Sequence, residues 1–529
     1  MFLELASLVK CILYTWNRFL LTPAVGCVLL LLWRIWRFTV LPVLRPNEPK
    51  ELPYWIPVFG HTIAFFGNSD KLLERGLNYT GRTHEVFAIQ VFRKKLYIIT
   101  NPSDVSNAFR DNEALHFDGH LNELLCNWGF EGEALRLAWH VPQPGEWCYL
   151  PGNPLNPNHL SLNRFTEEVY REQLLPGPKM DAMYNAFATA LFATLEWSNL
   201  DFCTVGVRGK SRLLSLSMLC RHTMVDATTR SMFGSHLHRI NPTVVENMMN
   251  FNDHAWMVFF RYPEIFGSPV TEPRRQLMDT LKTFINLPAH ARTEQAWSID
   301  TILKWQEIMG VDLHSRASII LMIYWAANSN EYNISFWVLA HLLHSPDLFR
   351  TVYEETEAAW PHGKLDIKWL CTNAPNLDAI FSEALRLNGG AMVSRVVRSP
   401  ITLGGKVLQP GHSALIPARQ LHMNEKVWGD NVAEFDATRF KNKKSLTRHS
   451  SYRPFGGGVT YCPGRVLAKE EVFSFLAILF HRFDIKLAVV GAEKQKFPKL
   501  DDSTPALGIT GPVRSMDVII ETTLKNKFY

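Results

Sequence analysis

Hydrophobic residues recur at helical spacing through most of the middle of the chain. Between residues 165 and 385 they return every three to four positions, with interruptions at prolines, and this spacing predicts a series of amphipathic helices. The strongest prediction covers residues 315–344, which contain neither proline nor glycine. At about 1.5 Å per residue, we expect one helix of roughly 45 Å there, long enough to cross a whole domain.

Alternation of apolar and polar residues is confined to short stretches. The segment EVFAIQVFRKKLYIITNP, residues 85–102, is rich in β-branched and aromatic residues. It predicts a two-stranded hairpin that turns near Arg93 to Lys95. Residues 112–163 carry many Pro, Gly, Asn and Trp residues without a clear period, so we expect a long irregular segment with short helices. The fold class predicted is therefore mainly α with minor β.

The first sixty residues differ in kind from the rest. Residues 19–33 form an uncharged apolar run, which Arg34 and further basic residues follow, and five prolines lie between positions 42 and 57. The basic flank and the lack of a small-residue cleavage site favour a membrane anchor over a cleaved signal peptide or a buried core helix. Positive flanks stay in the cytosol, which predicts a single-pass protein with a cytosolic body. We predict an anchor over 1–40, a stiff proline-rich hinge over 41–60 and one large domain over 61–529.

Composition limits the partners and the compartment. The 529 residues are 47% hydrophobic and carry a formal net charge of +5, with Lys and Arg spread along the chain. We therefore expect membrane lipid or an acidic protein as a partner, and no nucleic acid. Eight cysteines are scattered without a CxxC pair, a pattern that indicates neither a disulfide framework nor a zinc site and favours a reducing compartment.

One glycine-rich stretch, RPFGGGVTYCPGR at residues 453–465, places three glycines ahead of a single cysteine that proline and glycine follow directly. A metal-binding thiolate needs a low pKa, and the start of a helix lowers the pKa through its unpaired N–H groups. Pro463 suits the first position of the helix that the following residues predict. The glycines let the backbone pass close to a flat, bulky group, and Phe455 would shield the sulfur. An ordinary buried cysteine is the alternative for Cys462.

The loop resembles the haem-thiolate motif FxxGxxxCxG of the cytochrome P450 enzymes, in which the cysteine is the axial iron ligand. Upstream, Glu383 and Arg386 in SEALRL match the ExxR motif, and Arg439 in FDATRF completes the family's buried charge triad; an exposed helix pair is the alternative for the first two. The resemblance covers essentially the whole chain. It implies the cytochrome P450 fold, with a single large haem-thiolate catalytic domain, a long central distal helix, and haem b (iron protoporphyrin IX) as cofactor.

The resemblance also implies a set of haem-binding residues, with Cys462 as the metal ligand. These residues are Cys462, Phe455, Gly456, Gly458, Gly464 and Arg395. Arg395 in VSRVVRSP lies where the family has an arginine that binds a haem propionate; a free surface arginine is the alternative. The arginine or histidine that the family has two residues before the cysteine is Thr460 here, and its WxxxR helix is not recognisable. We expect His159 or Arg164 to substitute for that part of the propionate site.

Polar residues interrupt the apolar sequence of the long predicted helix. The stretch YWAANSNEYNISFW places Asn328, Ser329, Asn330 and Asn333 in an apolar context, where polar groups are expected to face a cavity, water or a ligand. The stretch aligns with the family's distal pattern Ala-Gly-x-acid-Thr, with Ser329 in place of the acid and Asn330 in place of the alcohol. The resemblance implies that Ser329 and Asn330 are catalytic residues that guide protons. The alternative is that Asn330 bonds its own helix backbone.

The same stretch, with Thr460, resembles a subgroup of the family that holds the sterol 7α- and 12α-hydroxylases and prostacyclin synthase. This implies a monooxygenase of the endoplasmic reticulum membrane that oxidises a large apolar, steroid- or terpenoid-like molecule with O2 and electrons from NADPH-cytochrome P450 reductase.

The basic segment KNKKSLTRH, residues 441–449, would be the reductase docking site or simply a solvated loop. The alternative function is a haem-thiolate isomerase or dehydratase that rearranges a peroxide substrate without a reductase. A haem-binding sensor would need a second protein ligand, and the sequence offers no evident one.

Overall fold

The computed structural model of the protein describes residues 23–263, 269–489 and 495–525. Within this part of the chain the contacts separate two compact units. The first consists of the chain up to His116 together with Ser394–Ile416, and the second of Phe117–Val393 together with the chain from Pro417 onward. Helices predominate and strands are few, which confirms the prediction of a mainly α fold with minor β.

A six-stranded mixed sheet organises the first unit. In spatial order its strands are Lys50–Glu51, Phe87–Val91, Lys94–Ile98, Ser413–Pro417, Met392–Val397 and Leu115–His116. The second and third strands form an antiparallel hairpin, as predicted, but the turn falls at Phe92 and Arg93, slightly earlier than expected. After the first strand, the unit contains the α-helices Thr62–Gly67, Ser69–Tyr79 and Pro102–Arg110. A separate small hairpin consists of the strands Ile401–Leu403 and Lys406–Leu408.

An apolar helix, Pro23–Leu44, begins the described part of the chain and is long and apolar enough to cross a membrane. Residues 19–22 of the predicted apolar run lie outside the described residues. Large side chains such as Leu29 are more than half exposed, unlike those of a soluble core helix. The helix contains a π-helical turn, Trp36–Val40, and continues to Leu44. The prediction that the hinge is extended is therefore wrong for residues 41–44, because Pro42 stands in the first turn of a helical segment, where its missing N–H costs little.

Helices build most of the second unit. Those of seven or more residues are Asp118–Asn127, Gly132–Trp139, Leu162–Leu174, Pro178–Thr194, Leu216–Phe233, Val244–Phe259, Thr271–Ile285, Trp297–Ile308, Leu313–Asn328, Glu331–His344, Pro346–Glu357, Ile367–Asn373, Pro375–Asn388 and Arg465–Arg482, together with the 3₁₀ helix Trp197–Cys203. Shorter α-helices are His236–Ile240, Ala418–His422, Glu425–Trp428 and Thr438–Asn442. The segment between Trp139 and Leu162 has no helix or strand, which agrees with the predicted irregular stretch.

A four-stranded antiparallel sheet completes this unit, with strands in the order Phe483–Leu487, Ile519–Leu524, Ser211–Ser215 and Thr204–Arg208. The last two strands form a hairpin inside the region where helical spacing was expected, so the prediction is wrong there. Gly209 explains the difference, because its φ of +61° suits a tight turn that a helix cannot contain.

The predicted long helix is not one uninterrupted helix. It is divided into Leu313–Asn328 and Glu331–His344, with Ser329 and Asn330 between them. The backbone N–H of Asn330 donates to the carboxylate of Glu331 at 3.2 Å, and the Ser329 hydroxyl donates to the carbonyl oxygen of Ala326 at 3.3 Å. In a regular helix these backbone N–H and C=O groups would bond each other. Here side chains bond them instead, and this competition interrupts the helix.

Three helices of the second unit pack together and carry the residues of interest. Glu331–His344 packs against both Pro375–Asn388 and Arg465–Arg482. The last helix is almost entirely buried from Val472 to Phe480. This packing fixes the helix that follows Cys462 relative to the break at Asn330.

Candidate active site

The loop before Cys462 is held by its own backbone. The N–H of Cys462 donates to the carbonyl oxygen of Phe455 at 3.0 Å. Gly456 and Gly458 have φ values of +72° and +61°, in the left-handed region that other residues rarely adopt. The following helix begins at Arg465 with Gly464 as its N-cap, so the prediction that Pro463 opens the helix is wrong by two positions.

Cys462 is half-buried and is not part of a disulfide. Burial raises its pKa and the nearby Glu331 raises it further, whereas the N–H groups of Gly464 and Arg465 lower it. The predicted helix-start effect is thus present but smaller than the effect of burial. A bound metal cation would favour the thiolate, because a coordinating thiol loses its proton.

Cys462 lines a cavity of about 280 Å³ in the second unit. Most of the lining is apolar or small, including Ala326, Ala327, Gly464 and Gly508. A side-chain carbon on Gly508 would lie 1.8 Å from the carboxamide oxygen of Asn330, so a larger residue there would displace the Asn330 side chain. One thiol, an apolar wall and close backbone are the features that a large planar metal-bearing cofactor needs, and the residues therefore fit haem.

The structure brings together most, but not all, of the predicted site residues. Phe455, Gly456, Gly464 and Asn330 line the cavity with Cys462. Gly458 does not; it is exposed and shapes the turn that leads to the cysteine. Ser329 does not line this cavity either, but lines a neighbouring one.

Arg395 lies in the first unit, on the strand Met392–Val397. It is fully buried, which excludes the alternative of a free surface arginine. Its guanidinium donates to the carbonyl oxygen of Ser394 at 2.9 Å and lies 5.7 Å from the ring centre of Phe109. Burial lowers its pKa to about 10. Its role as a propionate ligand stays a prediction.

Asn330 bonds a distant segment and not its own helix backbone. Its carboxamide oxygen accepts the N–H of Ile509 at 2.7 Å, and its amide nitrogen donates to the Ser329 hydroxyl at 2.7 Å. The alternative reading of the sequence, in which the side chain bonds its own helix, is therefore wrong. Asn330 is instead a link between the helix break and the 507–509 segment.

Two acidic residues of the cavity were missed by the sequence analysis. Glu331 and Glu471 both line it, and Glu471 is 3% exposed. Burial raises the pKa of Glu331 to about 7; burial also raises the pKa of Glu471, and the neighbouring Glu331 raises it further. The available signal was Glu331 itself, an acid next to Asn330 in a stretch whose neighbours are mostly apolar.

The predicted charge triad is confirmed. Arg386 donates two hydrogen bonds to the Glu383 carboxylate, at 2.7 and 2.8 Å, and both side chains are fully buried. Arg439 lies 3.4 Å from the same carboxylate and donates to the carbonyl oxygen of Trp428. Arg386 also donates to the carbonyl oxygen of His422 at 2.9 Å. The network therefore ties the Pro375–Asn388 helix to the chain that precedes the cysteine loop.

The prediction that His159 or Arg164 substitutes for a missing propionate ligand is not supported. Arg164 is about half exposed and pairs with Asp118 at 2.9 Å and Glu167 at 3.0 Å. His159 stacks on Tyr149 with ring centres 4.1 Å apart. Neither side chain lines the cavity, because surface carboxylates and an aromatic ring already bind them.

Comparison with known proteins places these features in one family. The family model described as Cytochrome P450 matches residues 207–509. The chain is 25% identical to the cytochrome P450 monooxygenase poxD of Penicillium oxalicum over 88% of its own length and 93% of that protein. It is 24% identical to the cytochrome P450 monooxygenase calL of Penicillium decumbens over 87% of this chain and 90% of that protein. It is also 26% identical to the cholesterol 7-alpha-monooxygenase of Cricetulus griseus, over 56% and 64% of the two chains. The chain belongs to the cytochrome P450 family and is an oxidoreductase.

Proposed function

We propose that this P450 monooxygenase oxidises a large apolar, steroid- or terpenoid-like molecule, with haem b as cofactor and electrons from NADPH-cytochrome P450 reductase. The observation that carries the proposal is that the cavity with Cys462, which haem would occupy, also has a small and apolar wall that includes Ala326, Ala327 and Ile334 and would be left to face a substrate. An apolar wall recognises a substrate by its shape and excludes water from it. The similarity to a cholesterol 7-alpha-monooxygenase supports a substrate of this size and polarity.

Cys462 would hold the haem iron through its sulfur, with Phe455, Gly456 and Gly464 beside it. Gly458 would act by shaping the loop, and Arg395 by binding a propionate. Haem, when bound, supplies the activation of dioxygen and the transfer of one oxygen atom to the substrate. Glycines at the loop keep the backbone close to the cofactor, and Phe455 keeps water from the sulfur.

The distal residues would manage protons. The Asn330 carboxamide is held by Ile509 and Ser329, so it is a fixed polar group at the cavity wall. We assign to it the positioning of a proton-bearing water, with the Ser329 hydroxyl as the next polar group. Glu331 lines the same cavity and has a pKa of about 7, which suits a group that takes up and releases protons near neutral pH.

The N-terminal helix would anchor the protein in the endoplasmic reticulum membrane, with the anchor over residues 1–40, the hinge over 41–60 and the catalytic domain over 61–529 in the cytosol. The exposed apolar helix Pro23–Leu44 supports this arrangement. Two basic residues in the second half of this helix contact the body of the first unit. Arg37 pairs with Glu51 at 2.8 Å, and the guanidinium of Arg34 lies 4.1 Å from the ring centre of Trp55. Such contacts hold the body close to the membrane surface.

Two measurements test the proposal. Reduced protein exposed to carbon monoxide should give the strongly red-shifted Soret band of thiolate ligation, and Cys462→His should abolish that band. A panel of steroids and terpenoids should then yield a ligand whose oxidation needs NADPH, the reductase and O2. Efficient turnover of a bound ligand without oxygen and reductase would overturn the monooxygenase proposal in favour of an isomerase.

A further inference from the structure

A histidine, a glutamate and a cysteine bring their ligand atoms together in the second unit, just after the helix Gly132–Trp139. A ring nitrogen of His140, a carboxylate oxygen of Glu146 and the sulfur of Cys148 all lie within 4.8 Å of one another. None of the three residues lines the cavity that contains Cys462. Across residues 23–263, 269–489 and 495–525, no other three such side chains converge in this way.

A tight turn in the local sequence builds this cluster. The N–H of Glu146 donates to the carbonyl oxygen of Gln143 at 3.0 Å, and Gly145 between them has a φ of +91°. Pro144 and Gly145 thus occupy the positions that they prefer in a type II turn. The Glu146 carboxylate accepts the N–H of Gln143 at 2.8 Å and lies 2.7 Å from Nε2 of His140. Two of the three ligands are therefore positioned by the chain itself.

The electrostatics of the three side chains favour a cation. Hydrogen bonds from the N–H of Gln143 and from His140 lower the pKa of Glu146, so this residue is a carboxylate at neutral pH. Cys148 is 1% exposed, and burial together with the charge of Glu146 raises the pKa of its thiol. A divalent ion reverses this effect, because a coordinating thiol loses its proton. Two negative ligands then neutralise the double charge of the ion.

The order of the side chains does not suit a cysteine nucleophile. Such a cysteine needs an imidazole next to its sulfur, with the carboxylate on the far side of the ring. Here Glu146 lies between the other two, 2.7 Å from His140 and 3.8 Å from Cys148. The carboxylate raises the pKa of the thiol, whereas a nucleophile requires a lowered pKa. Metal binding is the chemistry that this order permits.

The distances suit a small tetrahedral ion. Bonds of about 2.0–2.3 Å to zinc place neighbouring ligand atoms roughly 3.3–3.6 Å apart. The separations of 2.7 Å and 3.8 Å lie on either side of this range, so small side-chain rotations can close the site. Imidazole and thiolate favour Zn²⁺ over Mg²⁺ and Ca²⁺, which prefer oxygen ligands. The side chains of His140 and Glu146 are 24% and 37% exposed, which lets water reach the fourth position.

We propose that His140, Glu146 and Cys148 bind one zinc-class divalent cation at a site separate from that of haem. The ion ties the end of the helix Gly132–Trp139 to residues 140–161, a long segment without helix or strand. The cysteine spacing gave no sign of this site, because two of its three ligands are not cysteines. The site does not depend on the substrate or the reaction proposed above.

Equilibrium dialysis of the full-length ferric protein against Zn²⁺, after treatment with a chelator, tests the proposal. Elemental analysis should find one Zn²⁺ per haem, and His140→Gln or Glu146→Gln should weaken Zn²⁺ binding by at least about tenfold. Both side chains are partly exposed, so their replacement should not disturb the core. His290→Gln, an exposed histidine of the same unit, is the matched control and should bind Zn²⁺ like the wild type. Absence of Zn²⁺ from the wild type, or equal binding by His140→Gln, would overturn the proposal.

Cadmium reports the sulfur ligand directly. Cd²⁺ bound at this site should give the ultraviolet charge-transfer absorption of a Cd²⁺–thiolate bond in the haem-loaded protein. Cys148→Ser should lose this absorption, whereas Cys126→Ser, which replaces a half-buried free cysteine elsewhere in the unit, should retain it. The same absorption in Cys148→Ser would contradict binding through this thiolate. The carbon monoxide band of each variant reports haem ligation, so loss of the fold is distinguished from loss of the metal site.

Discussion

The carboxamide oxygen of Asn330 accepts the backbone N–H of Ile509 at 2.7 Å, and this bond joins two positions 179 residues apart in the chain. It connects the interruption of the distal helix to a segment that lines two cavities. A single side chain thereby closes the wall between these cavities and presents a polar group beside Cys462. The family's usual alcohol at this position is too short to have the same double role.

Replacement of Asn330 should show whether its polar group supports catalysis. Asn330→Leu removes the acceptor for Ile509 and the polar group of the cavity, so we expect product formed per NADPH to fall about tenfold and hydrogen peroxide release to rise. Asn330→Asp keeps an acceptor oxygen at the same distance, and Asn330→Thr restores an alcohol; both should retain part of the coupling. The measurement is the ratio of product to NADPH consumed with a confirmed substrate. Unchanged coupling in Asn330→Leu would exclude the proton-guiding role.

The buried pair of Glu383 and Arg386 should be essential for stability. Glu383→Gln leaves the charge of Arg386 without a counterion in a fully buried site, and breaking such a pair costs about 3–5 kcal/mol. We expect a strongly lowered melting temperature and poor haem incorporation, measured by calorimetry and by the Soret absorbance per protein.

The exposed pair of Glu133 and Arg136 provides the control for this prediction. It has the same i,i+3 spacing and a separation of 2.5 Å, but both side chains are more than half exposed. Solvent screens such a pair, so Glu133→Gln should leave the melting temperature unchanged. Equal effects of the two substitutions would mean that burial does not govern the contribution of Glu383.

Local sequence was sufficient to predict the cysteine loop. The left-handed backbone of Gly456 and Gly458 depends on neighbouring residues, and the glycines of the motif permit it. The triad could also be predicted, because Glu383 and Arg386 are one helical turn apart and the family motif adds Arg439. Only the exact helix start was predicted wrongly: the helix begins at Arg465 and not at Pro463. The sequence does not distinguish a proline at the first helical position from one that lies two residues before it.

Features that depend on distant contacts could not be predicted from the sequence. The helix break at Ser329 and Asn330 follows from side-chain hydrogen bonds, one of which comes from Ile509. Periodicity records only which residues are apolar, and it therefore extended the helix through this point. The same limit applies to Glu331, whose burial beside Glu471 depends on the packing of two helices far apart in sequence. Arg164 was a reasonable candidate by position, but Asp118 binds it instead.

The basic segment at residues 441–449 should contribute to reductase binding. Lys441, Lys443 and Lys444 are all exposed in the unit that contains the cysteine loop. Reversal of charge in Lys443→Glu with Lys444→Glu should slow the first electron transfer and flatten its dependence on salt, because long-range attraction to an acidic partner is lost. Stopped-flow formation of the ferrous carbon monoxide complex measures this rate. Lys210→Glu with Lys499→Glu changes the net charge equally at other exposed positions, and a similar slowing in that control would refute a specific docking role.

Membrane attachment should depend on the N-terminal helix. Carbonate washing of membranes should leave the full-length chain in the pellet, since removing Pro23–Leu44 from a bilayer exposes a continuous apolar surface. A chain that begins near residue 45 should be released by carbonate but still associate weakly at neutral pH. The reason is that Trp55, Ile56 and Phe59 are more than half exposed. Release of the full-length chain by carbonate would contradict an integral anchor.

His422 should make the protein sensitive to acid. Its ring is fully buried, and its Nε2 accepts the N–H of Arg453 at 3.0 Å, so the folded protein requires the neutral form. Burial, with the positive charge of Arg386 and a smaller contribution from Arg419, lowers the pKa of His422 to about 3, against about 6.5 in an unfolded chain. Between these values the unfolded state binds the proton more strongly than the folded state. Stability from this residue is therefore complete above pH 6.5 and is lost as the pH falls, by about 2 kcal/mol at pH 5.

His422→Gln tests this pH dependence directly. Glutamine does not titrate, and its side-chain oxygen can accept the Arg453 N–H that begins the cysteine loop. The free energy of unfolding, from urea titrations of the full chain in detergent, should fall less between pH 7.5 and pH 5 in the variant than in the wild type, by about 2 kcal/mol. Other groups contribute to the pH dependence in the same interval, among them His341, whose pKa desolvation also lowers to about 3, but they are common to both proteins and cancel in the difference. Parallel losses in the two proteins would show that His422 is not the acid-sensitive residue.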